Sequence, residues 1–235
     1  MSAIKVYVPR ETTAASVGAD EVALEIAREA KKRGARIQLV RNGSWGACWL
    51  EPLVEVELGE TRIAYGNVAA DDVAALFDGG FLDGGEHATR LGPVGEIDYL
   101  ITQDRWTFWR CGLTEALSLE DFLLHQGFTA LQKAWELGPD AVITAVTESG
   151  LRVRGGAGFP TGIKGRTVAD TPGDQKYIAC NADEGDSGTF SDSMLIEGDP
   201  FCLLEAMAIA GFAVGANKGY IYLRSEYPLK HTILT

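Results

Sequence analysis

The chain has 235 residues, enough for one large or two modest domains, and its 46% hydrophobic content can build a substantial core. A formal net charge of −12 argues against nucleic-acid binding, because no Lys/Arg stripe is present to drive counterion release; the acidity serves solubility. No apolar run is long enough to span a bilayer, and the start Met1-Ser2-Ala3-Ile4-Lys5 lacks the apolar core of a signal peptide, which predicts a cytoplasmic protein.

Residues 4–8 alternate apolar and polar, which predicts a strand. Over residues 20–33, Val22, Ala23, Ile26, Ala27 and Ala30 fall at helical spacing. Lys31, Lys32 and Arg33 stand in the last turn, where the helix dipole favours cations, and Gly34 is the stop. Residues 36–40 read as a second strand, 53–58 and 61–65 as a hairpin, and 70–77 as a helix followed by Gly79-Gly80. A β-α-β unit followed by a hairpin and a helix is a thioredoxin-like order, which predicts a first domain over residues 1–82. Residues 83–98 are glycine-rich and aperiodic and predict a linker.

The second domain is predicted over residues 99–235. Ser118 suits an N-cap, with Asp121 three residues on, ahead of Phe122, Leu123 and Leu124. Residues 128–137 and 140–149 predict helices, ended by Gly138-Pro139 and Gly150. Residues 176–180 predict a short strand, 200–216 an apolar helix with Pro200 in its first turn, and 219–223 another strand. Such alternation predicts an α/β layer with a parallel sheet.

Cys48, Cys111, Cys180 and Cys202 are widely spaced and form no CxxC. In a reducing compartment they read as buried thiols rather than disulfides, zinc ligands or cluster ligands. His87, His125 and His231 are scattered and suggest no metal pair, and no Ser/His/Asp or Cys/His grouping is visible.

Two segments carry chemistry. The first runs Arg154-Gly155-Gly156-Ala157-Gly158-Phe159-Pro160-Thr161-Gly162-Ile163-Lys164. Glycines let backbone N–H groups turn toward an anion, Arg154 and Lys164 add charge, and Phe159 offers a flat face to a nucleotide ring. The same run also reads as a glycine-rich turn around a buried Phe. The second segment, Asn181-Ala182-Asp183-Glu184-Gly185-Asp186-Ser187-Gly188-Thr189-Phe190, follows a predicted strand, where α/β sheets bind ligands. Asn181 can donate and accept at once, and Asp183, Glu184 and Asp186 suit sugar or ribityl hydroxyls. It also reads as a solvated acidic loop.

Together, Arg154 to Lys164, Lys176 to Glu184, Gly188-Thr189-Phe190 and Gly219 to Tyr227 resemble the flavin-binding subunit of NADH-oxidising complexes. This family includes the NADH-binding subunit of respiratory complex I, the diaphorase subunit of NAD-linked hydrogenases and the β subunit of NAD-dependent formate dehydrogenase. Glu184-Gly185-Asp186-Ser187-Gly188 and Glu197-Gly198-Asp199-Pro200-Phe201 look most like the formate dehydrogenase and hydrogenase branch. The resemblance implies an α/β fold: a thioredoxin-like domain followed by part of a Rossmann-like FMN/NAD-binding domain.

It further implies that Arg154, Gly155, Gly156, Ala157, Gly158, Gly162 and Lys164 hold FMN and the pyrophosphate of NAD. Phe159 would stack on the dinucleotide, Asn181, Asp183 and Glu184 would contact FMN, and Asp186 would lie beside the nicotinamide. Hydride would pass between NAD(H) and FMN, and single electrons on to iron–sulfur clusters, with no protein acid or base assigned. The first domain resembles the thioredoxin-like 2Fe-2S ferredoxin that partners such subunits. Only Cys48 stands where four ligands are needed, with Ser44 nearby, so this copy is expected to dock without a cluster.

The implied partners are a separate thioredoxin-like 2Fe-2S ferredoxin and the catalytic subunit of a formate dehydrogenase or hydrogenase. A truncated, non-catalytic nucleotide-binding or docking homologue is the alternative. A 4Fe-4S cluster is expected only in a continuation past Thr235. Three departures from the family pattern stand out: Val153 where Gly is usual, Gly165 where an aromatic is usual, and Ser193 where Arg is common. A β-branched residue at 153 would be strained at positive φ.

Overall fold

The computed structural model describes residues 3–186 and 188–235. Met1 and Ser2, at the start read for a signal peptide, and Ser187, in the acidic segment, lie outside the described residues.

The strands β1 (Ile4–Tyr7), β2 (Ile37–Val40), β3 (Val54–Leu58), β4 (Thr61–Tyr65) and β5 (Arg90–Pro93) form one sheet in the order β2-β1-β3-β4-β5. β2 runs parallel to β1, and β3, β4 and β5 are added antiparallel. Helices α1 (Thr12–Ala15) and α2 (Ala19–Arg33) connect β1 to β2, and α3 (Val73–Asp78) follows the hairpin. This is the thioredoxin-like order that the hydrophobic periods predict. Val6, Val8, Val54, Val56, Ile63 and Tyr65 recur with period two and face α2 and α3 in one core. Each such side chain contributes about 1.5–3 kcal/mol on full burial.

The stretch expected to be a linker contains β5, which extends the sheet beyond β4. Gly92 and Pro93 hide this strand from a pattern search, and Pro is tolerated here because β5 is an edge.

The other face of the sheet buries a polar network. Glu55 is fully buried and accepts from Trp45 Nε1 (2.7 Å), Asn42 Nδ2 (3.3 Å) and Arg62 (3.4 Å). Arg62 also donates to the carbonyls of Gly112 (3.0 Å) and Leu113 (2.6 Å), and Asn42 to that of Gly112 (2.8 Å). The chain after the sheet is thereby strapped across it.

The second half comprises α4 (Asp98–Ile101), α5 (Leu119–Leu124), α6 (Thr129–Leu137), α7 (Pro139–Glu148), α8 (Thr161–Asp170), β6 (Tyr177–Ala182), α9 (Ser191–Gly198), α10 (Pro200–Val214), β7 (Lys218–Leu223) and α11 (Pro228–Leu234). β6 and β7 pair in parallel, with α10 packed on both and on α6, α7 and α8. The class is α/β throughout. Ser118 caps α5 as expected, accepting from Asp121 N at 3.1 Å. Helices α8 and α9 occupy stretches for which no helix is predicted above. No helix among the described residues is long and apolar enough to cross a membrane. The four thiols are free, but of the four expected to be buried only Cys111 is; Cys180 and Cys202 are half-buried, and Cys48 is exposed on the 3-10 turn Cys48–Leu50.

The two halves meet at the end of α9. Glu197 is buried and accepts from Thr12 N (2.6 Å) and Thr12 Oγ1 (2.9 Å), at the start of α1. Arg110 and Asp199 form a buried ion pair at 2.7 Å. A Cβ on Gly43 would stand 2.7 Å from the Cα of Gly198, so the two backbones touch.

Glu11 and Glu51 are buried in the thioredoxin-like half on its side of this seam. Burial pushes the Glu51 carboxyl up to about 7, against the pull of its hydrogen bonds from Ser44 and Leu53 N. A carboxyl raised in the folded state binds more protons folded than unfolded. Its contribution is intact below the ordinary Glu range and is lost as pH rises to about 7. We therefore expect the thermal midpoint to fall between about pH 5 and 7, and Glu51→Gln to flatten that slope. An unchanged slope in scanning calorimetry of the variant would refute this assignment.

Candidate functional site

The glycine run splits into two structures. Its first half is a hairpin-like loop closed by a bridge between Arg152 and Pro160, with Val153 N donating to Phe159 O at 2.8 Å. Gly156 (φ 105°) and Gly158 (φ 60°) take left-handed backbone that only glycine adopts freely. A Cβ on Gly155, Gly156 or Gly158 would meet nothing within 4 Å, so the space beside the loop is open. Arg154 and Ala157 are exposed, and the Phe159 ring is 49% exposed, which overturns the buried-Phe reading. Arg152, whose role no motif spacing predicts, braces the loop by donating to Gly158 O at 2.9 Å.

The second half of the run is the start of α8. Gly162 lies in its first turn, where a Cβ would stand 2.1 Å from Thr147 Oγ1 and 2.6 Å from Thr147 Cα. Its missing side chain serves the close approach of α7 and α8, not a ligand. Lys164 projects from the same turn and is exposed. Two family departures lose their force here. Val153 is not among the positive-φ residues, so it carries no backbone strain. A Cβ on Gly165 would make an ordinary 3.9 Å contact with Ile143, so this glycine faces α7.

The acidic segment begins at the carboxyl end of β6. Asn181 is exposed, and its Oδ1 accepts from Asp183 N at 3.0 Å, which leaves its Nδ2 to face outward. Asp183 is half-buried and Asp186 exposed. Glu184 differs from expectation. Its side chain is buried, and one oxygen accepts from Asp192 N at 2.7 Å. The other accepts from Ser193 N (3.0 Å), Ser193 Oγ and Lys230 Nζ (3.2 Å).

Glu184 is therefore a remote cap for α9, not a free acceptor for a sugar. Its own backbone sits at φ 41°, and its carbonyl accepts from Tyr227 Oη at 2.8 Å. The Lys230 ammonium lies 3.4 Å over the Tyr227 ring. Ser193, where the family pattern has Arg, gives Glu184 a hydroxyl, and Lys230 from α11 supplies the cation. Neither role leaves a signal in sequence spacing.

Glu184 and Asp186 border a cavity of about 330 Å³ that also reaches α1 and α11 and does not include the glycine loop. Among the described residues no group of three or more His, Cys, Asp or Glu could hold a metal ion.

Residues 146–235 match the family model described as the Nuo51 FMN-binding domain. The chain is 49% identical over 119 residues to the NADP-reducing hydrogenase subunit HndC of Solidesulfovibrio fructosivorans, covering 51% of this chain and 24% of that one. It is 47% identical over 117 residues to an NADH-quinone oxidoreductase subunit of Aquifex aeolicus, covering 50% and 27% respectively. The chain thus spans about a quarter of the length of these curated relatives. Among solved structures, a chain of an NAD+-reducing NiFe-hydrogenase aligns with TM-score 0.43 and 25% identity, over 99% of this chain and 39% of that one.

Two substitutions separate packing from site. Gly162→Ala is expected to destabilise the protein by about 1–3 kcal/mol through overpacking, while Gly155→Ala in the open loop stays near native. Equal unfolding midpoints in urea for the two variants would contradict this. Lys230→Met leaves the Glu184 carboxylate buried without its cation, and the expected loss is about 3–5 kcal/mol. A native-like midpoint for that variant would show the pair to be water-exposed.

Proposed function

We propose that the chain is part of a diaphorase module that moves hydride between NAD(H) and FMN and exchanges electrons with iron–sulfur clusters of an NAD-dependent formate dehydrogenase. One observation carries this reading. The stretch that matches an FMN-binding family contains a glycine loop with two left-handed glycines, open space beside it and exposed cations on either side. These residues fit a phosphate-bearing cofactor, because backbone N–H groups and formal charge converge without a Cβ in the way.

Bound FMN would supply the hydride and single-electron chemistry. The chain's part is binding and orientation. Gly155, Gly156, Ala157 and Gly158 present the loop backbone, while Arg154 and Lys164 place positive charge for phosphate groups. Phe159 offers its exposed ring for stacking, and Asn181 Nδ2 and the Asp183 carboxylate, which have no hydrogen-bond partner among the described residues, could bond a ligand. No residue here needs to hold or move a proton. The formate dehydrogenase assignment rests on the likeness of Glu184 to Gly188 and of Glu197 to Phe201 to the formate dehydrogenase and hydrogenase branch, a likeness the two share. The similarity to HndC, a hydrogenase subunit, favours a second reading, the diaphorase part of a hydrogenase. In either case the partners are a thioredoxin-like 2Fe-2S ferredoxin and a catalytic subunit, in the cytoplasm, with the first half of this chain as a cluster-free docking domain.

Lys164→Ala is expected to weaken FMN or NAD binding by about 1–3 kcal/mol, the worth of a charged hydrogen bond. Fluorescence titration of FMN and NADH measures this. If the complete subunit neither retains FMN nor reduces an artificial acceptor with NADH, the proposal fails.

A further inference from the structure

A groove of about 440 Å³ lies on the outer face of the thioredoxin-like sheet, between the β3–β4 hairpin and α5. It includes no residue of the glycine loop or of the acidic segment, so the function proposed above leaves it unused. Lys5, Tyr7 and Val40 form its floor. Glu57, Glu60 and Arg62 of the hairpin form one wall, and Glu115, Glu120 and Leu124, on and just before α5, form the other.

The cations of the groove are already paired. Lys5 meets Glu57 at 3.4 Å, and His125 stands 3.2 Å from Asp121. Arg62 is tied to Glu55 and to the carbonyls of Gly112 and Leu113, with its guanidinium 3.4 Å over the Tyr7 ring. Glu60, Glu115 and Glu120 have no ion-pair partner among the described residues, so the two walls face each other with carboxylates in surplus. Apolar surface adjoins them. Leu124 is 76% exposed at the rim, and Leu117, Leu119 and Leu123 are exposed on the same short stretch, where α5 buries only Phe122. Four neighbouring leucines left in water mark an interaction surface rather than scattered exposure.

Small-molecule sites are lined mostly by apolar and aromatic side chains with a few polar groups. Charge on both walls suits a macromolecular segment of the opposite sign instead. A second copy of this chain, of net charge −12, would bring the same carboxylates face to face, and such like-charge juxtaposition costs affinity.

We propose that this groove docks a basic amphipathic segment of a partner protein, with Lys or Arg side chains between the carboxylate walls and an apolar anchor against Leu124 and its neighbours. The leucines supply buried area, and the carboxylates set partner choice and register. Because these carboxylates are exposed, salt screens their part of the attraction. The assignment is independent of the cofactor reading.

Fluorescence anisotropy of the full chain with a labelled amphipathic leucine–lysine peptide, and with its leucine–glutamate counterpart, tests this. The basic peptide should bind and the acidic one should not, and raising salt from about 0.05 to 0.5 M should weaken binding about tenfold or more. Leu124→Ser and the pair Glu60→Lys/Glu120→Lys should each weaken it at least about tenfold, and the milder Glu60→Gln/Glu120→Gln by less. These side chains are all exposed, so native unfolding midpoints are expected. Glu21→Lys/Glu25→Lys, on α2 across the sheet, changes the net charge equally and should leave binding native. Equal binding of the two peptides, no binding of the basic one, or an equal loss in the α2 variant overturns the proposal. A dimer in sedimentation that Leu124→Ser dissociates would assign the face to a second copy and overturn it as well.

Discussion

The buried carboxylate of Glu184 is the constraint on which the second half of the chain depends. It accepts from two backbone N–H groups at the start of α9, from a hydroxyl and from the Lys230 ammonium. Taking two charges out of water is expensive, and such a pair persists only where the remaining hydrogen-bonding capacity is filled. Here it is filled from α9 and α11 together, so moving either helix breaks hydrogen bonds to a buried charge. The left-handed backbone of Glu184 and the hydrogen bond from Tyr227 to its carbonyl then fix the direction in which the acidic segment leaves β6.

The same device recurs. Glu205 on α10 accepts from the N–H groups of Phe128 and Leu131 at the start of α6, at 3.2 and 2.9 Å. Glu197 accepts from Thr12 at the start of α1. Each places a negative side chain where a helix has unsatisfied N–H groups and a positive dipole end. Three helices of this protein are capped by glutamates outside them, two of which lie 74 or more positions away in sequence. The cost is sensitivity, because losing one partner strands the other in a medium that solvates it poorly.

This division explains what was legible in the sequence. The thioredoxin-like half could be read because Val6, Val54, Val56 and Ile63 keep a strict period of two and α2 keeps an apolar stripe ended by Gly34. Local caps were equally visible, as at Ser118, whose acceptor and donor are three residues apart. β5 was not, because its Gly and Pro imitate a loop. Nor was α8, whose Gly162 and Gly165 lower helix propensity and are tolerated because they let α7 approach. At the site, the left-handed conformations of Gly156 and Gly158 could be anticipated from composition. Glu184 could not, since nothing in a list of acidic residues separates one that faces solvent from one that meets a lysine 46 positions away.

The contact between Gly43 and Gly198 bears on how the molecule moves. Where two backbones touch without side chains between them, there is no rotamer to rearrange and no layer of flexible atoms to slide. Flanked by the Arg110–Asp199 pair and the Glu197–Thr12 hydrogen bonds, that point is a rivet rather than a hinge. A side chain on Gly43 would therefore force the thioredoxin-like half away from the end of α9, so the spacing of the two halves is set by an absent Cβ.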